Sequence, residues 1–214
     1  MSRDSHKDVC VLVSGGLDSA ALIAYYLRRK RTVHPVYIES GYRWEKAERR
    51  HLRRLLSALS HRRLKALRIL KASVEGLVSK KHWAFLGSVP GIHSRDAAVF
   101  LPGRNVLLIS CAAVYCAQKN VGVLALATLR GNPFLDATKS FFARMEKALR
   151  CGLGRPLKIE APFRDKTKKN VVAETGGVPW PLTFSCLRPS GLKPCGRCNK
   201  CEERRRVLNC YNRA

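Results

Sequence analysis

The sequence predicts an α/β fold, a Rossmann-like parallel sheet with helices on both faces, and three observations carry that expectation. Short runs rich in Val, Ile and Leu alternate with longer amphipathic runs. The first apolar run, Val11-Leu12-Val13, empties into the glycine- and hydroxyl-rich turn Ser14-Gly15-Gly16-Leu17-Asp18-Ser19, which opens a helix. No Pro-, Gly- or Ser-rich linker divides the chain, so residues 1–214 are expected to form a single domain with residues 180–214 as an appended segment.

The elements follow in order. Residues 9–13 read as the first strand, with a helix through about Arg29, and residues 33–39 as the second strand, with a long basic helix over 45–59. A third strand is expected over 67–70, then an irregular segment over 71–97 that could act as a lid. Residues 103–118 read as a turn and an apolar helix, 122–127 as the fourth strand, and 139–149 as a helix. Lys158-Ile159-Glu160-Ala161-Pro162 is expected to enter a loop before a short helix near 168–174, and a last helix falls over 202–208.

Composition bounds the function. A chain of 214 residues with 46% apolar content is long enough to bury a sizeable core. The longest apolar stretch, 106–117, is too short to cross a bilayer, and Met1-Ser2-Arg3-Asp4-Ser5-His6 lacks a signal-peptide core, so a soluble cytoplasmic protein is expected. The net charge of +26 comes from basic clusters spread along the chain, at 28–31, 49–54, 62–71 and 204–206. Such a surface attracts nucleic acid by counterion release and draws in anionic substrates; a general compositional bias explains it equally well. No aromatic stacking motif accompanies it.

The turn after the first strand carries the chemistry. Two glycines let backbone approach an oligophosphate, and the Ser14 and Ser19 hydroxyls with the next helix's N–H groups can cradle its oxygens. Asp18 fits among phosphate-binding groups only if a cation, most simply Mg²⁺, lies between. No Lys follows the glycines, so this is not a Walker loop.

At the other end, Cys186, Cys195, Cys198 and Cys201 stand in the spacing C-x8-C-x2-C-x2-C. Four thiolates this close read as a closed tetrahedral Zn²⁺ site that contributes folding energy, with an iron–sulfur cluster as the rival. Of the five other cysteines, Cys10, Cys111 and Cys116 sit in apolar runs and read as buried small hydrophobes.

Three inner stretches add candidates. Pro102-Gly103-Arg104-Asn105 presents a cation and an amide before a buried helix, as a phosphate or base site requires; as a plain helix entry, Asn105 would be the N-cap. Asn132 and Asp136 lie after the fourth strand, where open α/β sheets bind ligands, and could read a guanine-like edge; equally, Asp136 or Thr138 caps the following helix. Thr167 and Lys168, at a helix start, could reach a pyrophosphate.

The S-G-G-x-D-S string resembles the ATP pyrophosphatase (PP-loop) family, which cuts ATP between the α and β phosphates and passes AMP to an oxygen of the acceptor. The ordered set of that string, Pro102-Gly103-Arg104-Asn105, Ile159-Glu160-Ala161-Pro162, Gly177-Val178-Pro179, Leu182-Thr183-Phe184-Ser185-Cys186 and the remaining cysteines resembles its 7-cyano-7-deazaguanine synthase branch over nearly the whole chain. The resemblance implies an adenine nucleotide alpha hydrolase-like fold, ATP with Mg²⁺, a structural Zn²⁺, a homodimer and conversion of 7-carboxy-7-deazaguanine to the nitrile with ammonia through adenylated intermediates. It further implies that Val13, Ser14, Gly15, Gly16, Leu17, Asp18 and Ser19 hold the pyrophosphate, with Asp18 acting through Mg²⁺. Arg104 and Asn105 would lie by the nucleotide or the transferred group, and Lys168 would neutralise the leaving pyrophosphate.

Two loops depart from that branch. Its aromatic-Gly-Gln-Arg-His run is replaced by Ser40-Gly41-Tyr42-Arg43-Trp44, and its Tyr-Pro-Asp-Cys-Arg loop by the stretch from Gly131 to Thr138. A paralogue that adenylates another carboxylate or amide therefore stays open. So does a tRNA sulfur-transfer enzyme using Cys151, and a zinc-bearing RNA-binding module without catalysis.

Overall fold

A computed structural model describes residues 7–211; the N-terminal stretch Met1–His6 read above for a leader, and residues 212–214, lie outside it. Five strands form one sheet in the order β3-β2-β1-β4-β5, and every pairing is parallel. They are β1 (Asp8–Leu12), β2 (Thr32–Glu39), β3 (Arg68–Lys71), β4 (Val123–Ala125) and β5 (Lys158–Glu160). The helices are α1 (Leu17–Arg28), α2 (Glu45–Ala58), α3 (Arg104–Lys119), α4 (Lys139–Leu153), α5 (Lys168–Glu174) and α6 (Asn199–Tyr211).

The strand alternation sorts side chains into two cores. Val9 and Val11 of β1 point to the face covered by α1 and α2, where Leu22, Ile23, Tyr26, Leu52 and Leu55 are fully or almost fully buried. Cys10 and Leu12 point to the other face, against Ile109, Ala112, Ala113 and Cys116 of α3 and Phe142 of α4. Helices on both faces follow from that pattern, and the expected burial of Cys10 and Cys116 holds, while Cys111 is only half-buried.

Since β1 is followed outward by β2 on one side and β4 on the other, the chain reverses direction of build at β1. The strand order thus opens a crevice at the carboxyl ends of β1 and β4, and the Ser14–Ser19 turn leaves β1 at that crevice.

Two elements differ from expectation. Residues 158–160 form β5, whose Ile159 and Glu160 pair with Leu124 and Ala125 of β4. Its single apolar residue, Ile159, carries no alternation from which a strand could be read. Helix α6 starts at Asn199, three residues before the expected 202, and so begins between the last two cysteines. The segment over 71–97 is largely turns, as expected, and is anchored by buried Val74 and Ala84 in a satellite cluster with Tyr42, Trp44 and Leu101. Among the described residues no helix is long and apolar enough to cross a membrane.

Leu22 is fully buried in the core between α1 and the sheet. Leu22→Ala is expected to lower stability by about 2–5 kcal/mol, read as a lower urea midpoint at unchanged slope.

Candidate functional site

The turn between β1 and α1 is shaped from within. Gly15 takes a φ of +78°, and a Cβ there would stand 3.3 Å from that of Leu52, so both conformation and space call for glycine. At Gly16 a Cβ would sit 3.4 Å from Ser185 Oγ and 3.5 Å from Ser14 Oγ, filling the concavity of the turn. The Ser19 hydroxyl accepts from the N–H groups of Ser14 (3.3 Å) and Gly15 (3.1 Å) and donates to the Gly16 carbonyl (3.2 Å), which closes the loop over the first turn of α1.

Two cavities meet at this turn. The smaller, about 180 Å³, lies over the ends of β1, β2 and β4, with Val13, Ile38, Leu126 and Thr128 in its wall. The larger, about 280 Å³, opens toward the cysteine segment and is walled by Trp44, Trp83, Asn132, Phe134, Lys168, Ser185, Cys186, Lys200 and Glu203 among others. Five residues line both: Ser14, Asp18, Ser19, Glu48 and Arg104. The seam between the cavities is therefore the turn itself, one arginine and one glutamate.

A chain of ion pairs crosses the floor of the larger cavity. Lys168 Nζ stands 2.9 Å from Asp18 Oδ2 and 2.8 Å from Glu203 Oε1, and Lys200 Nζ stands 2.9 Å from Glu203 Oε2. Burial works against the charge on Lys168, but Asp18 and Glu203 outweigh it and hold its pKa above the ordinary lysine value. Burial raises the Asp18 carboxyl against the pull of Lys168. Glu203 goes the other way: the two lysines overcome its burial and bring it down to about 2.

Three buried polar atoms here lack a partner among the described residues: Asp18 Oδ1, Arg104 Nε and Thr128 Oγ1. Buried polar atoms are rarely left so, and their presence around one turn marks where a polar group belongs. A divalent cation suits Asp18 Oδ1, since a hard cation takes carboxylate oxygen, and an anion suits Arg104.

The four cysteines come together as the spacing predicts. Their sulfurs all lie within 4.8 Å of one another, so the quartet could hold a metal ion. The Leu187 N–H donates to Cys198 Sγ (3.4 Å) and the Cys195 N–H to Cys186 Sγ (3.2 Å), bonds that favour thiolate over thiol. Because α6 starts inside the quartet, Lys200 and Glu203 share its first turns with Cys201.

Of the residues singled out from sequence, Ser14, Gly16, Leu17, Asp18, Ser19, Arg104, Asn132 and Lys168 line the larger cavity and Val13 the smaller. Asn105 and Asp136 turn toward each other instead. The Asn105 backbone N–H donates to Asp136 Oδ2 (3.0 Å), and its side-chain amide donates to the Asp136 carbonyl (3.0 Å) and Oδ1 (3.3 Å). Asp136 thus serves the first turn of α3, where Gly103 is the N-cap residue, while Thr138 caps α4 by accepting from Phe141 N–H. Thr167 likewise caps α5. Cys151 is exposed in the last turn of α4 and lines neither cavity. The basic residues Arg50, Arg53 and Arg54 line a separate groove on α2.

Glu48 and Glu203 are not singled out by the sequence, and Lys200, which reads there as a cation beside the cysteine centre, instead pairs with Glu203. Glu48 had a signal: Glu45, Glu48, Leu52 and Leu55 fall at helical spacing on one stripe of α2, so two carboxylates continue its apolar face. Glu45 accepts from the Ser40 and Gly41 N–H groups (2.8 and 2.9 Å) and so shapes the β2–α2 loop. Glu48 Oε2 accepts from the Tyr37 hydroxyl (2.7 Å), and burial lifts its carboxyl to about 7 despite Tyr37 and Arg104.

A parallel α/β sheet with a glycine turn at its switch point and a carboxylate–lysine pair beneath it agrees with the fold that the PP-loop resemblance implies. The chain belongs to the queuosine biosynthesis protein QueC family, whose model matches residues 8–212. Among curated relatives, 7-cyano-7-deazaguanine synthase 1 of Desulfitobacterium hafniense (strain Y51) is 28% identical, covering 95% of this chain and 92% of its own. The 7-cyano-7-deazaguanine synthase of Anaeromyxobacter sp. (strain Fw109-5) is 31% identical, covering 96% and 93%. Among solved structures, a 4-thiouridine synthetase in complex with RNA and bound ATP shares the fold, with a TM-score of 0.52 at 15% identity over 95% of this chain and 50% of that one.

Glu48 gives a pH dependence with a definite sign. Its folded pKa lies above the ordinary 4.5, so its stabilising contribution is full below about pH 4.5 and is lost as pH rises through about 7. The difference in unfolding free energy between the wild type and Glu48→Gln should therefore drift against the wild type across that interval, as read by urea unfolding at a series of pH values.

Proposed function

We propose that this chain is an ATP-dependent carbon–nitrogen ligase that converts 7-carboxy-7-deazaguanine to 7-cyano-7-deazaguanine with ammonia, through adenylated intermediates. Membership of the QueC family and the naming of its relatives support the substrate. The observation that carries the reaction type is the meeting of two cavities at the Ser14–Ser19 turn, where the buried Asp18 Oδ1 has no partner among the described residues. Two substrates that must exchange an AMP group need two pockets and one shared edge.

In this reading the smaller cavity takes the adenosine, and the turn, with Val13, Ser14, Gly15, Gly16, Leu17 and Ser19, holds the phosphates. Asp18 would hold Mg²⁺ through its free oxygen, and the ion would supply charge neutralisation between carboxylate and phosphates. Arg104 lies beside the transferred phosphorus, Lys168 faces the leaving pyrophosphate, and Asn132 stands at the acceptor. Asn105 and Asp136 act by fixing the start of α3 and hence Arg104, the residue before Asn105. An acceptor carboxylate oxygen attacks the α-phosphorus directly, pyrophosphate departs, and an otherwise poor leaving group becomes AMP. No side chain needs to form a covalent intermediate.

The cysteine quartet would hold Zn²⁺ in a closed sulfur shell with no open position, and its work is to fix the start of α6 and so present Glu203 to Lys168.

Purified protein with ATP, Mg²⁺, ammonium and 7-carboxy-7-deazaguanine should yield AMP, pyrophosphate and the nitrile mass. ADP in place of AMP would refute the reaction type, and AMP formed only with another acid would refute the acceptor. Asp18→Ala should lower pyrophosphate release by about 100-fold or more, since it removes the group that anchors the cation.

Elemental analysis should find about one zinc per chain. Cys198→Ser should lose it and lower the thermal midpoint, with the far-ultraviolet helix signal falling as α6 loosens.

A further inference from the structure

Among the five residues at the seam, four have a task in the reaction just described. The fifth does not. Glu48 reaches both cavities from the buried stripe of α2, one turn after Glu45 and one before Leu52. Its position is fixed twice, by the helix and by the Tyr37 hydroxyl on Oε2 at 2.7 Å. Among the described residues no lysine or arginine nitrogen forms an ion pair with it, in contrast to Asp18 and Glu203.

We infer that Glu48 is the proton acceptor for the ammonia that attacks the activated acyl group at the seam. The inference rests on the ligase reading and assigns that site a further catalytic residue. When ammonia adds to the acyl-adenylate carbonyl, a C–N bond forms and the nitrogen gains positive charge. Unless that nitrogen loses a proton, it is a better leaving group than AMP and the adduct reverts. A carboxylate at the seam takes the proton, the tetrahedral carbon collapses, the C–O bond to AMP breaks, and the products are amide, AMP and a protonated carboxyl that later returns its proton to solvent. The step needs no oxidant, reductant or further co-reactant.

The surroundings suit the task. A base works best when its pKa lies near the working pH, and burial brings Glu48 to about 7 while Tyr37 from β2 and Arg104 from α3 pull it down and Glu45 on its own helix pushes it up. Across the seam stand Asp18 of α1 and the Lys168 of α5 that pairs with it. Asp18 is the other carboxylate here, but Lys168 occupies one of its oxygens and the cation of the ligase reading would take the other, which leaves neither for the ammonia proton.

The test separates adenylation from amide formation. Exchange of labelled pyrophosphate into ATP, dependent on 7-carboxy-7-deazaguanine and run without ammonium, reads the first; amide formed with ammonium chloride reads the second. Glu48→Gln should lower the second by about 100-fold and the first at least ten times less than that. Hydroxylamine, a stronger nucleophile that is uncharged at neutral pH, should recover part of the loss. Glu48→Asp should retain an intermediate rate, and Tyr37→Phe, which removes a bond that lowers the Glu48 pKa, should move the acid limb of the amide-formation profile to higher pH. Equal losses in both reactions, or an unchanged acid limb in Glu48→Gln, would overturn the assignment. A wild type without acceptor-dependent exchange would overturn the ligase reading, and this inference with it.

Discussion

The ion pair between Lys168 and Asp18 is the interaction on which the site depends. Removing a charge from water is costly, and Lys168 lies deep enough that its charge persists only because two carboxylates face it. Those carboxylates come from distant parts of the chain: Asp18 from the first turn of α1, Glu203 from the first turns of α6. Lys168 itself opens α5. One ammonium thus fastens three helices to a single point beneath the turn, and Lys200 completes a set of two positive and two negative groups. If Lys168 were absent, Asp18 would be left as a buried carboxylate without an ion pair beside Glu203, which would keep only Lys200.

That arrangement explains why a cysteine quartet at the far end of the sequence belongs to the same functional unit. A metal held by the four sulfurs would constrain the unfolded chain and set where α6 can begin. Cys198 and Cys201 bracket Asn199 and Lys200, so whatever holds the sulfurs also aims Lys200 and Glu203. Asn199 adds a second anchor, its side-chain amide donating to the Ser94 carbonyl at 2.7 Å and its N–H to the Pro90 carbonyl at 3.0 Å. The irregular segment after β3 is thereby fastened to the cysteine segment, and its Trp83 stacks on Trp44 at 5.6 Å to form one wall of the larger cavity.

What could be read from the sequence was what is local in it. The turn, the cysteine spacing and the alternation of apolar runs are each contained within twenty residues, and each appears in the structure where expected. Contacts spanning the chain were not legible. Asp136 offered two local roles, but its partner is Asn105, 31 residues earlier, and no periodicity links the two. The start of α6 was misplaced because Asn199 and Lys200 look like loop residues between cysteines until the sulfurs are drawn together. β5 was hidden by its brevity: at three residues on the sheet edge, it is recruited by the exposed side of β4 rather than by its own composition. Glu48 is the instructive omission, since a carboxylate on the apolar stripe of a helix is a local signal of purpose.

The two carboxylates that line both cavities sit in contrasting environments. Asp18 faces a lysine on one oxygen, and its other oxygen has no partner among the described residues, which suits a group that takes a cation. Glu48 accepts from a phenol and forms no ion pair among the described residues, which suits a group that exchanges its proton near neutrality. Their oxygens are committed differently: one Asp18 oxygen is held by Lys168, whereas Glu48 is held only through the Tyr37 hydroxyl on Oε2. The environments follow from where the residues sit, Asp18 in the first turn of α1 over the buried ammonium and Glu48 in the first turn of α2 against Tyr37 of the sheet. The contrast between them is therefore set by the sheet and its helices.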